Sequence, residues 1–169
     1  EKGQIEILSV LIDKGVDLEA KDDYWNYNSL MYASKNGHVE VVSLLLKKGV
    51  SIEVMDREGC TSLMLGRVEV VSLLFEKGAD IETKEHHGLT PLMIAASARD
   101  KTHNNGGLTP FALVASIHHK TLIVSLLLDK GADINAKNNE GYTPLMIASL
   151  NGCSEVVTLL LEKGAYVDL

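Results

Sequence analysis

The chain has 169 residues, of which 46% are hydrophobic, and a formal net charge of −7. This hydrophobic content is ordinary for a globular protein and excludes a disordered chain, while the negative charge argues against a nucleic-acid ligand, because phosphate binding needs a basic face. Apolar runs fall short of the roughly 20 residues that cross a bilayer, so we expect no membrane partner. Cys60 and Cys153 occupy dissimilar positions, which argues against a disulfide and favours a reducing, cytoplasmic compartment.

The first predicted element is an apolar helix within residues 1–15, in which Ile5, Ile7, Leu8, Val10, Leu11 and Ile12 are apolar. It has the character of the second helix of a two-helix unit, and the first helix of that unit is missing. We therefore expect the sequence to begin inside a longer array or after a disordered start.

A complete two-helix unit follows at about residues 22–55. It contains a short helix, a break at Gly37, and a second helix with a broad apolar face. The turn that opens the unit has Asn26, Asn28 and Ser29 where Gly, Thr and Pro are usual. Because Asn tolerates left-handed backbone and can cap a helix, we expect the turn to keep its shape.

The third and fourth units, near residues 56–83 and 84–107, are shorter than the second. In the third, about one helical turn is missing after Met64. In the fourth, a first helix leads into the polar stretch 101–107, and no second helix is apparent. Two explanations stay open: the units are truly shortened, or residues of the protein are missing from the sequence.

The fifth unit, residues 109–131, has one extra residue near its predicted helix break, and the sixth, residues 143–164, is the most regular copy. In the sixth, Thr143 is a good N-cap, Pro144 suits the first helical position, and Gly152 breaks the first helix from the second. The apolar second helix of this unit has no polar cap, so we expect either further sequence or end-to-end association of chains.

One such unit cannot bury its own apolar faces, whereas stacked copies can. The repeated sequences NEGYTPL at residues 139–145, GHVEVV at 37–42 and KGADIN at 130–135 resemble the ankyrin repeat. The resemblance covers almost the whole chain. It implies an all-α ankyrin-repeat solenoid of paired antiparallel helices with projecting β-hairpin-like turns. Residues 1–169 would then form a single domain of about five to six units, the first of them partial.

Motifs for catalysis or metal binding are not evident in the sequence. We find no G-x-S-x-G, no H-E-x-x-H and no phosphate-binding glycine loop, so we predict neither an enzyme nor a cofactor. The histidines His86, His87, His103, His118 and His119 raise the question of a metal site. Adjacent histidines on a turn usually point apart, and no carboxylate or cysteine completes a tetrahedral set, so we predict surface histidines.

An aromatic cluster at Tyr24, Trp25, Tyr27 and Tyr32 contains the only Trp of the chain. The ankyrin pattern implies that most of this segment forms an exposed turn tip. Since Trp and Tyr dominate interface hot spots, we predict that the cluster anchors a partner protein. The alternative is that Tyr24 and Trp25 cover the apolar flank of the neighbouring turn.

Other candidate partner-binding residues lie on the turn tips and first helices, which are expected to line one concave face. They differ between units while the framework stays constant, as a recognition surface on a fixed scaffold would. The alternative is drift of unconstrained positions. These residues are Lys35, Arg57, Glu58, His86, His87, Leu89, Asn104, Asn105, Asn138, Asn139 and Tyr142.

The resemblance implies a non-catalytic scaffold or adaptor that binds a partner protein, whose identity the sequence does not give. A second hypothesis is a regulatory or targeting fragment of a larger enzyme or channel, with the activity outside these residues. The half unit at the start and the uncapped last helix motivate this alternative.

Overall fold

The computed structural model describes residues 2–97 and 110–167. Over these ranges the chain forms nine helices and no strand, which confirms the predicted all-α class. The helices are α1 (Lys2–Asp13), α2 (Ser29–Asn36), α3 (Val39–Lys47), α4 (Ser62–Leu65), α5 (Val68–Glu76), α6 (Pro91–Ala96), α7 (Pro110–Asp129), α8 (Pro144–Leu150) and α9 (Ser154–Glu162). The chain divides into two compact parts, an N-terminal half (residues 1–80) and a C-terminal half (residues 81–169).

In the N-terminal half, α2 packs against α3 and α4 against α5. Each helix also contacts its equivalent in the next pair, so that α2 lies on α4 and α3 on α5. Leu30 and Met31 of α2, Leu45 of α3 and Leu74 of α5 are fully buried at these contacts. A single pair could not enclose so many apolar side chains, so stacking of the pairs supplies the core.

The N-caps of α2, α6 and α8 follow the predicted chemistry, even where the residue is unusual, whereas Thr61 makes no such bond at the start of α4. The Oδ1 of Asn28 accepts a hydrogen bond from the Met31 N–H at 3.0 Å, and the hydroxyl of Thr143 makes the equivalent bond in α8. Asn26 has a φ of 63°, in the left-handed region where other turns of the chain use glycine. The prediction that asparagines preserve this turn is confirmed.

The shortened third unit folds with only four residues in its first helix, α4. The chain passes through Gly66 directly into α5, and the N–H of Arg67 donates to the carbonyl of Ser34 at 3.3 Å. That carbonyl lies in the last turn of α2, where helix carbonyls lack partners within the helix. The same carbonyl also accepts the N–H of Gly37 at 3.1 Å, so the N–H of Arg67 is a second donor that ties the start of α5 to the end of α2.

In the C-terminal half, α6 packs against α7, α8 against α9, and the two pairs lie on each other. The sequence predicted two antiparallel helices over residues 109–131, and this is wrong, because α7 is a single helix of 20 residues. The predicted break carries neither Gly nor Pro, unlike the break at Gly152, so nothing ends the helix. The prediction that α6 lacks a second helix is also wrong, because α7 packs against it and buries Val124 and Leu127. The predicted loop at 101–107 lies outside the described residues, and the number of units stays a prediction.

Successive repeats within each half are joined by one recurrent contact between the loops that follow their second helices. A side-chain oxygen of one loop accepts the backbone N–H of a residue in the next loop, at 2.7 to 2.9 Å. The pairs are Glu19 with Ser51 and Glu53 with Asp80 in the N-terminal half, and Glu82 with Asp133 and Asn135 with Tyr166 in the C-terminal half. This contact fixes the register of each repeat on its neighbour.

Two equivalent turn glycines allow a test of how closely neighbouring turns approach. Gly88 and Gly141 both have left-handed backbone, with φ of 78° and 85°. A Cβ added at Gly88 would lie 2.8 Å from the backbone nitrogen of Asn139, whereas a Cβ at Gly141 would meet nothing within 4 Å. We expect Gly141→Ala to lower the free energy of unfolding by about 1–2 kcal/mol through backbone strain alone. Gly88→Ala should cost roughly 1–3 kcal/mol more, because a clash is added.

Urea denaturation of the two variants, followed by circular dichroism, measures this difference. Equal losses of stability in both variants would contradict the close contact between the two turns.

Candidate partner-binding surface

The first turn of the N-terminal half is held by the carboxylate of Asp22. Its Oδ1 accepts the backbone N–H groups of Tyr24 and Trp25, each at 2.7 Å, and its Oδ2 accepts that of Tyr27 at 2.8 Å. These bonds, that of Trp25 foremost, hold the pKa of Asp22 below its ordinary value. One ionised side chain therefore fixes the backbone on which the predicted aromatic cluster stands.

The same arrangement recurs in three other turns, and the sequence interpretation missed it. One side-chain oxygen of Asp56, Glu85 or Asn138 accepts two backbone N–H groups of its own turn. The available signal was an acidic residue or Asn three positions before the turn glycine. Asn138, predicted to contact a partner, thus uses its carbonyl oxygen inside the turn, at 2.8 Å from the Tyr142 nitrogen.

The four aromatic rings form a connected cluster that runs from the core to the surface. The rings of Tyr24 and Trp25 meet edge to face at 4.8 Å, and Trp25 lies 6.4 Å from Tyr27. Tyr24 is 71% exposed, Tyr32 is 45% exposed and Trp25 is half-buried. Lys35 places its Nζ 5.1 Å from the centre of the Tyr27 ring, within cation–π distance.

Tyr27 departs from the prediction of an exposed aromatic, because only 7% of its surface is exposed. It directly precedes the N-cap Asn28, and its ring contacts that of Tyr32, four positions into α2, at 5.3 Å. This is the geometry of a hydrophobic staple, which fixes the angle at which the chain enters a helix. Burial raises the pKa of Tyr27 well above its ordinary value, so its phenol stays neutral.

The neighbouring turn extends this surface. The backbone N–H of Arg57 donates to the Trp25 carbonyl at 3.1 Å, and its guanidinium donates to the Asp23 carbonyl at 2.9 Å. Glu58 follows, half-buried. The structure therefore brings together most of the candidates predicted in the N-terminal half. We call Tyr24, Trp25, Tyr32, Lys35 and Arg57 together the aromatic tip surface, in which Tyr24, Tyr32 and Arg57 are exposed and Trp25 and Lys35 are half-buried.

The candidates of the C-terminal half form a second, separate group. His86 and His87 are exposed, and Asn139 joins their turn to its own through bonds to both of their carbonyls, each at 3.1 Å. Leu89 is half-buried and Tyr142 is 39% exposed. Asn104 and Asn105 lie outside the described residues.

Within residues 2–97 and 110–167, no three His, Cys, Asp or Glu side chains are placed to hold a metal ion. Cys60 and Cys153 are buried thiols that form no disulfide, and burial raises the pKa of Cys153 above its ordinary value. None of the helices in these ranges combines the length and the apolar character needed to cross a bilayer.

The family model for ankyrin repeats in three copies matches residues 1–85 and 97–169. The chain belongs to the ankyrin repeat family. Ankyrin repeats are in general protein–protein interaction modules and are typically non-catalytic. A search of curated proteins found no match. The family match agrees with the stacked helix pairs of the structure.

The role of Asp22 gives a prediction for stability against pH. Because its pKa is lowered in the folded state, its contribution to stability is complete above its unfolded pKa of about 3.9 and is lost as pH falls through the folded pKa. Asp22→Asn replaces one acceptor with a donor facing the Tyr27 N–H. We expect the variant to melt at a lower temperature than the unsubstituted protein at pH 7, with the difference shrinking below pH of about 4.

Thermal melts at several pH values test this prediction. The control is Asp23→Asn, since the Asp23 carboxylate has no hydrogen bond to any part of the chain that the structure describes. An equal effect of the two substitutions at pH 7 would contradict the role of Asp22.

The burial of Tyr27 and the exposure of Tyr24 predict opposite results for two neighbouring substitutions. Tyr27→Ala removes a buried ring and should lower the free energy of unfolding by about 3 kcal/mol or more. Tyr24→Ala removes an exposed ring and should change it by less than about 0.5 kcal/mol. Urea denaturation measures both values. A large loss for Tyr24→Ala would show that its ring supports the fold.

Proposed function

We propose that this ankyrin repeat protein is a non-catalytic scaffold or adaptor that binds a partner protein through its turn tips, with the aromatic tip surface as the main anchor. The observation that carries the proposal is the position of Tyr24. Its ring is 71% exposed and stands edge-on against Trp25, on a turn that is tied down at both ends. Large aromatic side chains at a surface are the residue types that dominate binding energy at interfaces.

Preorganisation of the turn supports this role. Three backbone N–H groups are bound by Asp22, and Arg57 holds the Trp25 and Asp23 carbonyls from the next turn. A partner would therefore meet a backbone that already has its bound shape. Less conformational entropy is lost on association with a rigid surface than with a flexible one.

The net charge of the N-terminal half favours a basic partner. Residues 1–80 contain nine Lys and Arg against 14 Asp and Glu, whereas residues 81–169 contain seven against nine. The exposed carboxylate of Asp23 lies beside Tyr24, so a Lys or Arg of the partner could meet both a carboxylate and an aromatic face. Charge complementarity of this kind raises the association rate and suppresses wrong partners.

We further propose the exposed His86, His87 and Tyr142 as a contact region of the C-terminal half. In this proposal Leu89, Asn138 and Asn139 act mainly by holding their turns. Asn104 and Asn105 stay predictions from the sequence.

Site-specific photo-crosslinking tests the proposed function. Benzoylphenylalanine replaces Tyr24 in one variant and Tyr166 in a matched control, since Tyr166 is 70% exposed but lies outside the aromatic tip surface. After irradiation in cell extract, we expect a defined protein to be crosslinked from position 24 and not from position 166. With that protein purified, Tyr24→Ala should raise its Kd by about tenfold or more. Crosslinks that are the same from both positions, or an unchanged Kd, would overturn the proposal.

A further inference from the structure

A cation of the chain itself lies on the aromatic cluster. The Nζ of Lys35 is 5.1 Å from the centre of the Tyr27 ring, within the distance at which the face of an aromatic ring attracts a positive charge. Within residues 2–97 and 110–167, this ammonium has no hydrogen bond and no ion pair. The contact with the ring is therefore the interaction that holds the Lys35 side chain where it lies.

Negative charge near Tyr27 favours a cation at this place. The hydroxyl of Tyr32, whose ring stands against that of Tyr27, donates to the carboxylate of Asp22 at 3.3 Å. After burial, the charges of Asp56 and Glu58 are further causes of the raised pKa of the Tyr27 phenol, so both carboxylates lie near it. The surroundings of the ring thus attract a positively charged group and repel a phosphate or a carboxylate.

The pair of Lys35 and Tyr27 is specific to this repeat. Tyr142 stands directly before its N-cap, as Tyr27 does, but Leu150 takes the place of Lys35 eight residues later. Leu150 is 72% exposed even though the pair of α6 and α7 lies on its own helix pair. A preceding repeat therefore does not bury this position, and the stack does not need a lysine there. The other described turns have no aromatic ring directly before the N-cap, with Cys60 and Leu89 in its place.

Lys35 is the neighbour of the Tyr27 ring that can move away most easily. Tyr27 is only 7% exposed, and the rings of Trp25 and Tyr32 lie 6.4 and 5.3 Å from its own. The lysine side chain is a flexible four-carbon stem, whereas these rings stand on a turn that Asp22 holds. A second cation therefore reaches the face of Tyr27 only after Lys35 has left it.

The entering group must bind the ring better than a lysine does. A guanidinium stacks on aromatic faces and is more weakly hydrated than an ammonium, which favours arginine. We propose that an arginine of the partner protein displaces Lys35 from the Tyr27 ring, so that Lys35 is an internal competitor at the aromatic tip surface. This inference rests on the proposed function, because it names the chemistry of the partner at the same surface.

Removal of the competitor should strengthen the binding of an arginine ligand. Lys35→Gln takes the cation away and keeps a side chain of similar length, so we expect the Kd to fall by about two- to fivefold, the worth of a cation–π contact near a surface. Lys35→Arg keeps a competing cation and should leave the Kd unchanged or raise it. The matched control is Lys47→Gln, which removes the same charge from an exposed position at the end of α3.

Nuclear magnetic resonance of the whole chain follows binding and displacement through separate signals. The probe is a peptide of alternating glycine and arginine, from about 10 μM to about 10 mM, and its uncharged control has citrulline for arginine. Trp25 is the only Trp, so its indole N–H signal reports binding at the aromatic tip surface. We expect the arginine peptide to move this signal and to return the methylene protons beside the Lys35 ammonium, which the Tyr27 ring current shifts, to the position of a free lysine.

A peptide that moves the Trp25 signal and leaves the Lys35 protons shifted would overturn the inference, because the arginine would then bind beside Lys35. Equal Kd values for Lys35→Gln and Lys47→Gln, or no binding to any variant up to about 10 mM, would overturn it too. Circular dichroism checks that the variants are folded. Failure of the proposed function is detected separately, by equal crosslinks from positions 24 and 166, a result that involves neither Lys35 nor the peptide.

Discussion

One hydrogen-bond acceptor at the start of each turn is the constraint on which the described structure depends. Asp22, Asp56, Glu85 and Asn138 each bind backbone N–H groups two to five residues ahead. These bonds satisfy donors that water would otherwise have to bind and fix the direction in which the chain enters the next helix. Only with that direction set can the first helices stack on one another. The turns are therefore part of the framework, and their variable side chains are carried on a backbone that the same kind of acceptor holds in each turn.

The sequence predicted the helices well wherever a local signal marks both ends. Residues 143–164 have a Thr-Pro start, a glycine break and a glycine end, and α8 and α9 lie where these signals place them. In residues 109–131 the break was inferred from alignment with the other copies, and no residue there stops a helix. The structure accordingly continues α7 through it. A repeat pattern predicts which elements exist, but local chemistry decides where each one ends.

The sequence predicted which residues form the candidate surface, but it predicted less well which of their side chains are exposed. Composition and position identified the aromatic cluster, and Tyr24 and Tyr32 are indeed exposed. Tyr27 differs only in standing next to the N-cap, a position from which a ring packs back onto the helix. Whether such a ring lies inside or outside depends on where the helix begins to within one residue. The turn of Asp22 is one residue longer than the others, so alignment of the copies could not locate that start.

The chain between α6 and the buried part of α7 is longer than the corresponding connection between α8 and α9. From Gly78 to Gly131 the chain runs 53 residues, against 33 from Gly131 to Gly164. The hydrogen bond between successive loops is nevertheless made here too, because the side chain of Glu82 accepts the backbone N–H of Asp133. Lengthening a connection costs little entropy, about 0.6 kcal/mol for each doubling, and here it leaves the stacking contacts in place. Extra chain between α6 and the buried part of α7 is therefore tolerated, because the loops before and after it still meet as they do elsewhere in the C-terminal half.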